Sequence, residues 1–141
     1  MNYLLDTCVL SELVKPRPAA PVLAWMAEQH APQLFVSAIT LAELKRGVTK
    51  LAPSRRQDEL SHWLVQLAAG FDDRVLAFDE HTATHWAMLC ANAESMGKPL
   101  AAFDSLIAAT ALQHQLCLVT RNLKDFDRPG LTLFNPWASA A

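Results

Sequence analysis

The stretch NYLLDTCVLSEL, at residues 2–13, decides how the fold begins. Its apolar residues 3–5 predict a short strand that stops at Asp6, and a helix is predicted from about residue 8 to residue 14. In sheets of parallel strands, functional crevices lie beyond the carboxyl ends of the strands. Asp6 is therefore both the end of the first predicted strand and the first candidate functional residue.

Short apolar runs alternate with helical patterns along the rest of the chain. Four further strands are predicted, at residues 34–36, 75–78, 117–119 and 131–134. Five further helices are predicted, at about residues 20–30, 38–51, 55–70, 80–96 and 104–115. Strands separated by helices favour the α/β class, with a mostly parallel central sheet of about five strands and helices on both faces.

Two of the predicted helices carry local signals. Ser54 and Gln57 fit a capping box at the start of the helix at 55–70. The helix at 104–115 is apolar nearly all round, so we expect it to be buried. Asp104 would then stand at the entrance of a buried helix.

The composition favours one globular domain, spanning residues 1–141. Of the 141 residues, 52% are hydrophobic and 18% are charged, which excludes a disordered chain. The formal net charge of −2 excludes a protein that coats nucleic acid through its overall charge, so any RNA binding needs a local patch. The N-terminus lacks the basic region of a signal peptide, and no apolar run is long enough for a membrane helix, so we expect a cytoplasmic protein.

Three cysteines, Cys8, Cys90 and Cys117, lie far apart in the sequence. Their number is odd and they form no CxxC pair, which argues against both a zinc knuckle and a disulfide framework. They are expected to be small buried side chains in a reducing compartment.

Three acids are candidates for a shared site. Asp6 ends the first strand, Glu43 lies in the third helix, and Asp104 opens the sixth. If the sheet is parallel, the loop 120–125 after the fourth strand lies at the same edge as Asp6. Convergent carboxylates repel one another unless a cation or a proton joins them, and oxygen ligands without Cys or His favour Mg²⁺ or Mn²⁺.

Each acid also has a purely structural interpretation. Asp6 and Asp104 could each cap the helix that follows. Glu43 lies on the flank of an apolar helical stripe, where Arg46, three residues on, could be its partner. Spacing and periodicity alone leave both interpretations open.

Five segments of the chain together resemble a known family. They are NYLLDTCVLSEL, VSAITLAELKRGV, PLAAFDSLIAATAL, VTRNLKDF and LFNPW. In this order they are similar to the PIN domain of the VapC and FitB toxins, and the resemblance runs from residue 2 to residue 137.

The resemblance implies a PIN-domain fold and a metal-dependent endoribonuclease. Asp6, Glu43 and Asp104 would be the catalytic carboxylates that hold Mg²⁺ or Mn²⁺. The fourth position of the family often carries an Asp where this chain has Asn122, so Asp125 is the candidate for the fourth acid. Thr7 and Thr120 would orient the ligands or the attacking water, with Asn122 beside them.

The resemblance also implies partners. The substrate would be structured RNA such as tRNA, cut to leave 5′-phosphate and 3′-hydroxyl ends. The chain would form a homodimer and be silenced by a VapB-type antitoxin, which places a segment, often with an Arg, in the acidic site.

Basic and aromatic residues supply candidate RNA contacts. Arg121 and Lys124 flank the predicted site, and Lys45 and Arg46 begin a basic cluster that extends to Arg56. That cluster could equally be the solvated surface of two helices. The four tryptophans are expected in core or dimer packing, with base stacking as the alternative; they are Trp25, Trp63, Trp86 and Trp137.

Two rival functions remain at this point. An aspartyl-nucleophile phosphatase would also place an Asp after its first strand, but it needs a second acid where this chain has Cys8. A non-catalytic PIN-like module that binds RNA or a partner would have no need of three mutually repelling acids.

Overall fold

Five short strands form one parallel sheet in the computed structural model, which describes residues 1–138. The strand order is β3-β2-β1-β4-β5, so β1 lies at the centre. The strands are β1 Tyr3–Leu5, β2 Leu34–Ser37, β3 Val75–Leu76, β4 Cys117–Val119 and β5 Leu133–Phe134. The predicted α/β class with a parallel sheet is confirmed, and β3 and β5 are each shorter than predicted.

Seven α-helices connect and flank these strands within residues 1–138. They are α1 Thr7–Leu13, α2 Ala20–Glu28, α3 Ala38–Thr49, α4 Arg55–Phe71, α5 Glu80–Ser95, α6 Ala102–His114 and α7 Leu123–Phe126. The last of them, α7, falls in a segment that was predicted to be a loop. Short 3-10 turns lie at Ala31–Gln33, Asp72–Arg74 and Pro136–Ala138.

Helices cover both faces of the sheet, because successive strand residues point to opposite sides. In β1, Leu5 packs into a cluster with residues of α1, α2 and α4. Its neighbour Leu4 packs into a second cluster with residues of α5 and α6. The chain therefore buries two apolar layers and leaves the carboxyl ends of the strands as the open edge.

Helix α6 is buried as predicted. Among its residues, Ile107, Ala108 and Ala109 have no exposed surface. Across residues 1–138, no helix combines the length and the apolar character that crossing a membrane requires.

Two local expectations are wrong in part. Ser54 Oγ accepts a hydrogen bond from the Gln57 backbone N–H at 3.1 Å, but Gln57 does not complete a capping box. Its side-chain amide donates instead to the carbonyls of Val48 and Leu51, which joins α3 to α4. Of the three free cysteines, only Cys117 is buried, while Cys8 and Cys90 are partly exposed.

Candidate active site

The candidate site lies where two neighbouring strands end. β1 pairs with β4 in register, Leu5 opposite Val119, so the residues that follow these strands meet at one edge of the sheet. The backbone N–H of Asp6 donates to the carbonyl of Val119 at 2.9 Å. Asp6 and Thr120 are thus brought together, as the parallel sheet predicted.

The carboxylate of Asp6 is buried and held by hydrogen bonds. Its Oδ1 accepts from the Thr7 backbone N–H at 2.8 Å, and its Oδ2 accepts from Thr120 Oγ1 at 2.8 Å. The Cys8 thiol also donates to Oδ2, at 3.5 Å. Asp6 is the N-cap of α1, so the capping interpretation is correct and is compatible with a role in a site.

Thr120 links both strand ends to the following loop. Its hydroxyl donates to Asp6 and accepts from the backbone N–H of Asn122 at 3.1 Å, and the residue has no exposed surface. Thr120 therefore fixes the orientation of Asp6, which fits the predicted orienting role. Asn122 contributes through its backbone and makes no capping bond to α7 with its side chain.

Glu43 reaches the site from α3. Thr7 Oγ1 donates to Glu43 Oε1 at 2.8 Å and also lies 3.3 Å from Thr40 Oγ1. The suggested pairing of Glu43 with Arg46 is wrong, since no ion pair in the described part of the chain joins them. The contact with Thr7 holds Glu43 toward the sheet instead of toward solvent.

Thr40 was not expected at the site. It stands three residues before Glu43, and residues with this spacing share one face of a helix. The three-residue spacing from Glu43 was the only signal for Thr40 in the sequence. It is a weak signal, because a hydroxyl in a helix has many other possible partners.

Asp104 lies in the first turn of α6, which begins at Ala102, two residues earlier than expected. The N-cap is Ala101, so the interpretation of Asp104 as a cap is wrong. Desolvation, followed by the charges of Asp6, Asp125 and Glu43, raises the pKa of Asp104 to about 6. Desolvation and the neighbouring charges therefore outweigh the effect of the helix dipole, which favours a negative charge in the first turn.

Asp125 supplies the fourth acid of the cluster. It lies on α7, and its charge contributes to raising the pKa of Asp104, whereas Asn122 is neutral. Within residues 1–138, no protein hydrogen bond reaches the carboxylate of Asp104 or of Asp125. We call Asp6, Glu43, Asp104 and Asp125 the acid cluster.

The donor chemistry of the acid cluster fits a hard divalent cation, since every charged group is a carboxylate. In residues 1–138, no three acidic, His or Cys side chains already stand close enough together to hold an ion. The charges of the other three acids nevertheless act on Asp104, whose pKa they help to raise.

Cys8 is a neighbour of the acid cluster that was not expected to contact it. Burial, reinforced by the charge of Asp6, raises the pKa of the Cys8 thiol to about 11, so the thiol remains protonated and can donate. Its sulfur also lies 3.7 Å from Thr120 Oγ1. Cys8 is two residues from Asp6, within the first turn of α1, and this proximity was its only sequence signal.

The predicted basic residues differ in their relation to the cluster. Arg121 and Lys124 line a cavity together with Asn122 and Asp125, directly beside the acids. Arg46 lines a shallow cavity with Glu43. Lys45 is on the exposed surface of α3, and no contact joins it to the acids in the part of the chain that the structure describes.

The fold and the acid cluster define a parallel α/β domain with a carboxylate site at the ends of its central strands. The chain belongs to the PIN-domain family, whose model matches residues 3–130.

The relatives of the chain include FitB and VapC proteins. The chain is 40% identical to toxin FitB of Neisseria gonorrhoeae, over 95% of this chain and 97% of that protein. It is 39% identical to VapC ribonuclease Y4jK of Sinorhizobium fredii, over 96% and 98% of the two chains. A solved structure of FitAB bound to a DNA fragment contains a similar chain, with a TM-score of 0.92, 38% identity, and coverage of 96% of this chain and 95% of that one.

Proposed function

We propose that the protein is an endoribonuclease toxin whose activity depends on Mg²⁺ or Mn²⁺. The observation that carries the proposal is the convergence of the acid cluster: Thr7 donates to both Asp6 and Glu43. The charges of Asp6, Asp125 and Glu43 also contribute to raising the pKa of Asp104. These four acids come from four separate segments, and a cation among them would offset their mutual repulsion. The similarity to a VapC ribonuclease over nearly the whole chain supports the same conclusion.

In this proposal Asp6, Glu43 and Asp104 hold the ion, and Asp125 adds negative charge beside it. A bound divalent cation activates water and stabilises charge on a phosphodiester during hydrolysis. Thr120 holds the Asp6 carboxylate in one orientation, and Thr7 does the same for Glu43. With a pKa of about 6, most Asp104 is charged at neutral pH and is competent to ligate.

We propose structured RNA such as tRNA as the substrate, cut to leave 5′-phosphate and 3′-hydroxyl ends. Because the net charge of the chain is −2, phosphate binding requires local cations. Arg121 and Lys124 line the cavity beside the acid cluster and are the leading contacts, with Arg46 next to Glu43. Lys45, on the exposed surface of the same helix, would contribute only a peripheral charge.

We further propose a cognate VapB-type antitoxin, a homodimer and a cytoplasmic location. The FitAB assembly bound to DNA contains a chain similar to this one, which supports a protein partner. An antitoxin Arg placed in the acid cluster would pair with carboxylates that the protein leaves without hydrogen bonds, above all Asp104. The proposed RNA substrate lies in the cytoplasm.

Incubation with total cellular RNA tests the proposal. Purified protein is added with Mn²⁺ or with EDTA, and the ends of the fragments are mapped. Cleavage is expected with Mn²⁺ only, and Asp104→Asn should remove it. Intact RNA in the presence of Mn²⁺ would contradict the proposal and favour a module that only binds RNA or a partner.

The phosphatase alternative is disfavoured by the contacts of Asp6. Both of its carboxylate oxygens accept hydrogen bonds, and a thiol stands where a second acid is needed. Isolation of a phosphoenzyme with phosphate on Asp6 would restore that alternative.

A further inference from the structure

We infer that Trp137 is a positioning residue, which holds the guanidinium of Arg121 beside the acid cluster so that it binds an RNA phosphate. The inference rests on the proposed function and adds a role for the C-terminal turn Pro136–Ala138. The guanidinium carbon of Arg121 lies 5.4 Å from the centre of the Trp137 ring. Arg121 and Trp137 are distant in sequence, so this contact exists only in the folded chain.

Trp137 is anchored in the fold. It packs against the apolar cluster of the α1, α2 and α4 face, to which Trp25 also belongs. Its backbone N–H donates to Asn135 Oδ1 at 2.9 Å, which fixes the turn. The ring is therefore a firm surface for a cation.

Glu12, a buried acid near the end of α1, lies close to the indole N–H edge of the ring. Hydrogen bonds from Lys15 and from the Ala19 backbone lower the pKa of Glu12, and the indole N–H of Trp137 adds a smaller contribution. The indole nitrogen is buried and is not aligned for a full hydrogen bond. Trp137 thus turns its N–H toward the protein and a face of its ring toward Arg121.

The backbone of Arg121 is fixed by the loop that contains Thr120. Among residues 1–138, only the Trp137 ring holds its side chain. Arg121 follows Thr120, whose hydroxyl donates to Asp6 and accepts from the Asn122 backbone N–H. Its side chain is exposed and joins no ion pair in residues 1–138. Its position is therefore set by the acid-cluster loop at one end and by Trp137 at the other.

Contact with an aromatic face keeps the guanidinium available. The attraction is electrostatic and uses none of the five N–H donors of the guanidinium, all of which stay free for phosphate oxygens. Without the ring, a mobile Arg121 would be drawn to the nearby carboxylates and would pair with them. Trp137 therefore favours a position that serves RNA and leaves the acids free.

Binding of a labelled tRNA mixture tests this inference. All variants carry Asp104→Asn so that RNA is bound without being cut. Arg121→Ala should weaken binding about 10-fold and reduce the salt dependence by about one phosphate contact. Trp137→Leu should weaken it about 3-fold to 5-fold, the size of an exposed cation–π contact, while Trp137→Phe should stay near the parent.

A double-mutant cycle separates positioning from a general structural effect. Once Arg121 is Ala, Trp137→Leu should cause no further loss of RNA binding. An independent loss in that background, or unchanged affinity and salt dependence in Trp137→Leu, would overturn the inference. In chains that keep Asp104, Trp137→Leu should raise KM for RNA and leave kcat nearly unchanged.

The cleavage assay keeps this inference distinct from the proposed function. A wild-type chain that binds RNA without cutting it would contradict the proposed nuclease activity, and the double-mutant cycle would still test the role of Trp137. A wild-type chain that neither binds nor cuts RNA would contradict both.

Discussion

The acid cluster consists of two halves that are held in opposite ways. Asp6 and Glu43 form the hydrogen-bonded half, in which Thr7 and Thr120 donate at 2.8 Å to the carboxylates. Asp104 and Asp125 form the unbonded half, to which the described residues donate no hydrogen bond. In this second half, desolvation and then repulsion by the neighbouring acids raise the pKa of Asp104 to about 6.

The difference shows which part of the site the protein completes by itself. Protein donors fix the positions of the Asp6 and Glu43 carboxylates, so the hydrogen-bonded half is already organised. Asp104, whose pKa is raised, gains most from a cation. In our account, cation binding therefore joins two carboxylates that protein donors position to two carboxylates that lack such donors.

Loss of catalysis is the largest expected effect, and both halves should show it. Asp6→Asn and Asp104→Asn should each reduce cleavage of RNA in Mn²⁺ by about 1000-fold or more, because each removes a ligand charge. Rates of fragment formation measure the loss. Asp127→Asn is the matched control, an exposed acid two residues from Asp125, and should keep wild-type activity. Normal activity in Asp104→Asn would refute the assignment of the unbonded half.

Thr120→Val tests the donor that organises the hydrogen-bonded half. It removes the bond to Asp6 and the acceptor for Asn122, so we expect metal affinity to fall about 10-fold to 100-fold. Calorimetric titration with Mn²⁺ measures the change. Thr110→Val is the control, since Thr110 is equally buried but bonds only within α6. Equal losses in the two variants would argue against a role for Thr120 at the site.

The free energy of unfolding should change with opposite sign in the two halves. In EDTA at about pH 7.5, Asp104→Asn should stabilise the protein by about 1–2 kcal/mol, a value reduced to allow for partial solvation. Asp6→Asn should destabilise it by about 1–3 kcal/mol, because it disturbs a cap and buried hydrogen bonds. Urea unfolding measures both, and a destabilised Asp104→Asn would contradict the description of the unbonded half.

The same contrast predicts a pH dependence. The folded-state pKa of Asp104 is about 6, above its ordinary value of 3.8, so the folded chain binds this proton more tightly than the unfolded chain does. In EDTA, the stability difference between Asp104→Asn and the wild type should be largest above about pH 6 and should disappear by about pH 4. Urea unfolding across that range checks it. A stability difference between Asp104→Asn and the wild type that grew as the pH fell would contradict this prediction.

The smallest expected effect concerns the fourth acid. Asp125→Asn should weaken Mn²⁺ binding about 3-fold to 10-fold, since Asp125 contributes charge without being held by a donor. Asn122→Asp, added to that variant, should restore part of the affinity if the loop can use either position. Calorimetry on both variants measures this, and unchanged affinity in Asp125→Asn would exclude Asp125 from the cluster.

The sequence predicted most of the fold and the central part of the site, for physical reasons. Strand Tyr3–Leu5 and the apolar helix α6 depend on local patterns that the sequence carries directly. The start of α6 was placed two residues late because Ala101 gives no capping signal. Short α7 lacks enough residues to establish a helical period.

The parts that could not be predicted depend on contacts between distant segments. Arg46 was offered as a possible partner of Glu43 because the sequence shows only neighbours on the same helix, whereas its partner is Thr7 of α1. The approach of Arg121 to Trp137 depends likewise on how the C-terminal turn packs on α2. The five family segments identified the acids. The structure then showed that hydrogen bonds surround Asp6 and Glu43, whereas the described residues donate none to the carboxylates of Asp104 and Asp125.

Titration of Mn²⁺, followed by the electron paramagnetic resonance signal of the free ion, tests the central claim most directly. At neutral pH the wild-type chain should bind one ion, and Asp104→Asn should bind none over the same concentration range, with both chains folded. Equal numbers of ions bound with equal affinity by the two chains would contradict the account, because the carboxylates at 6, 43 and 104 would then not share a cation.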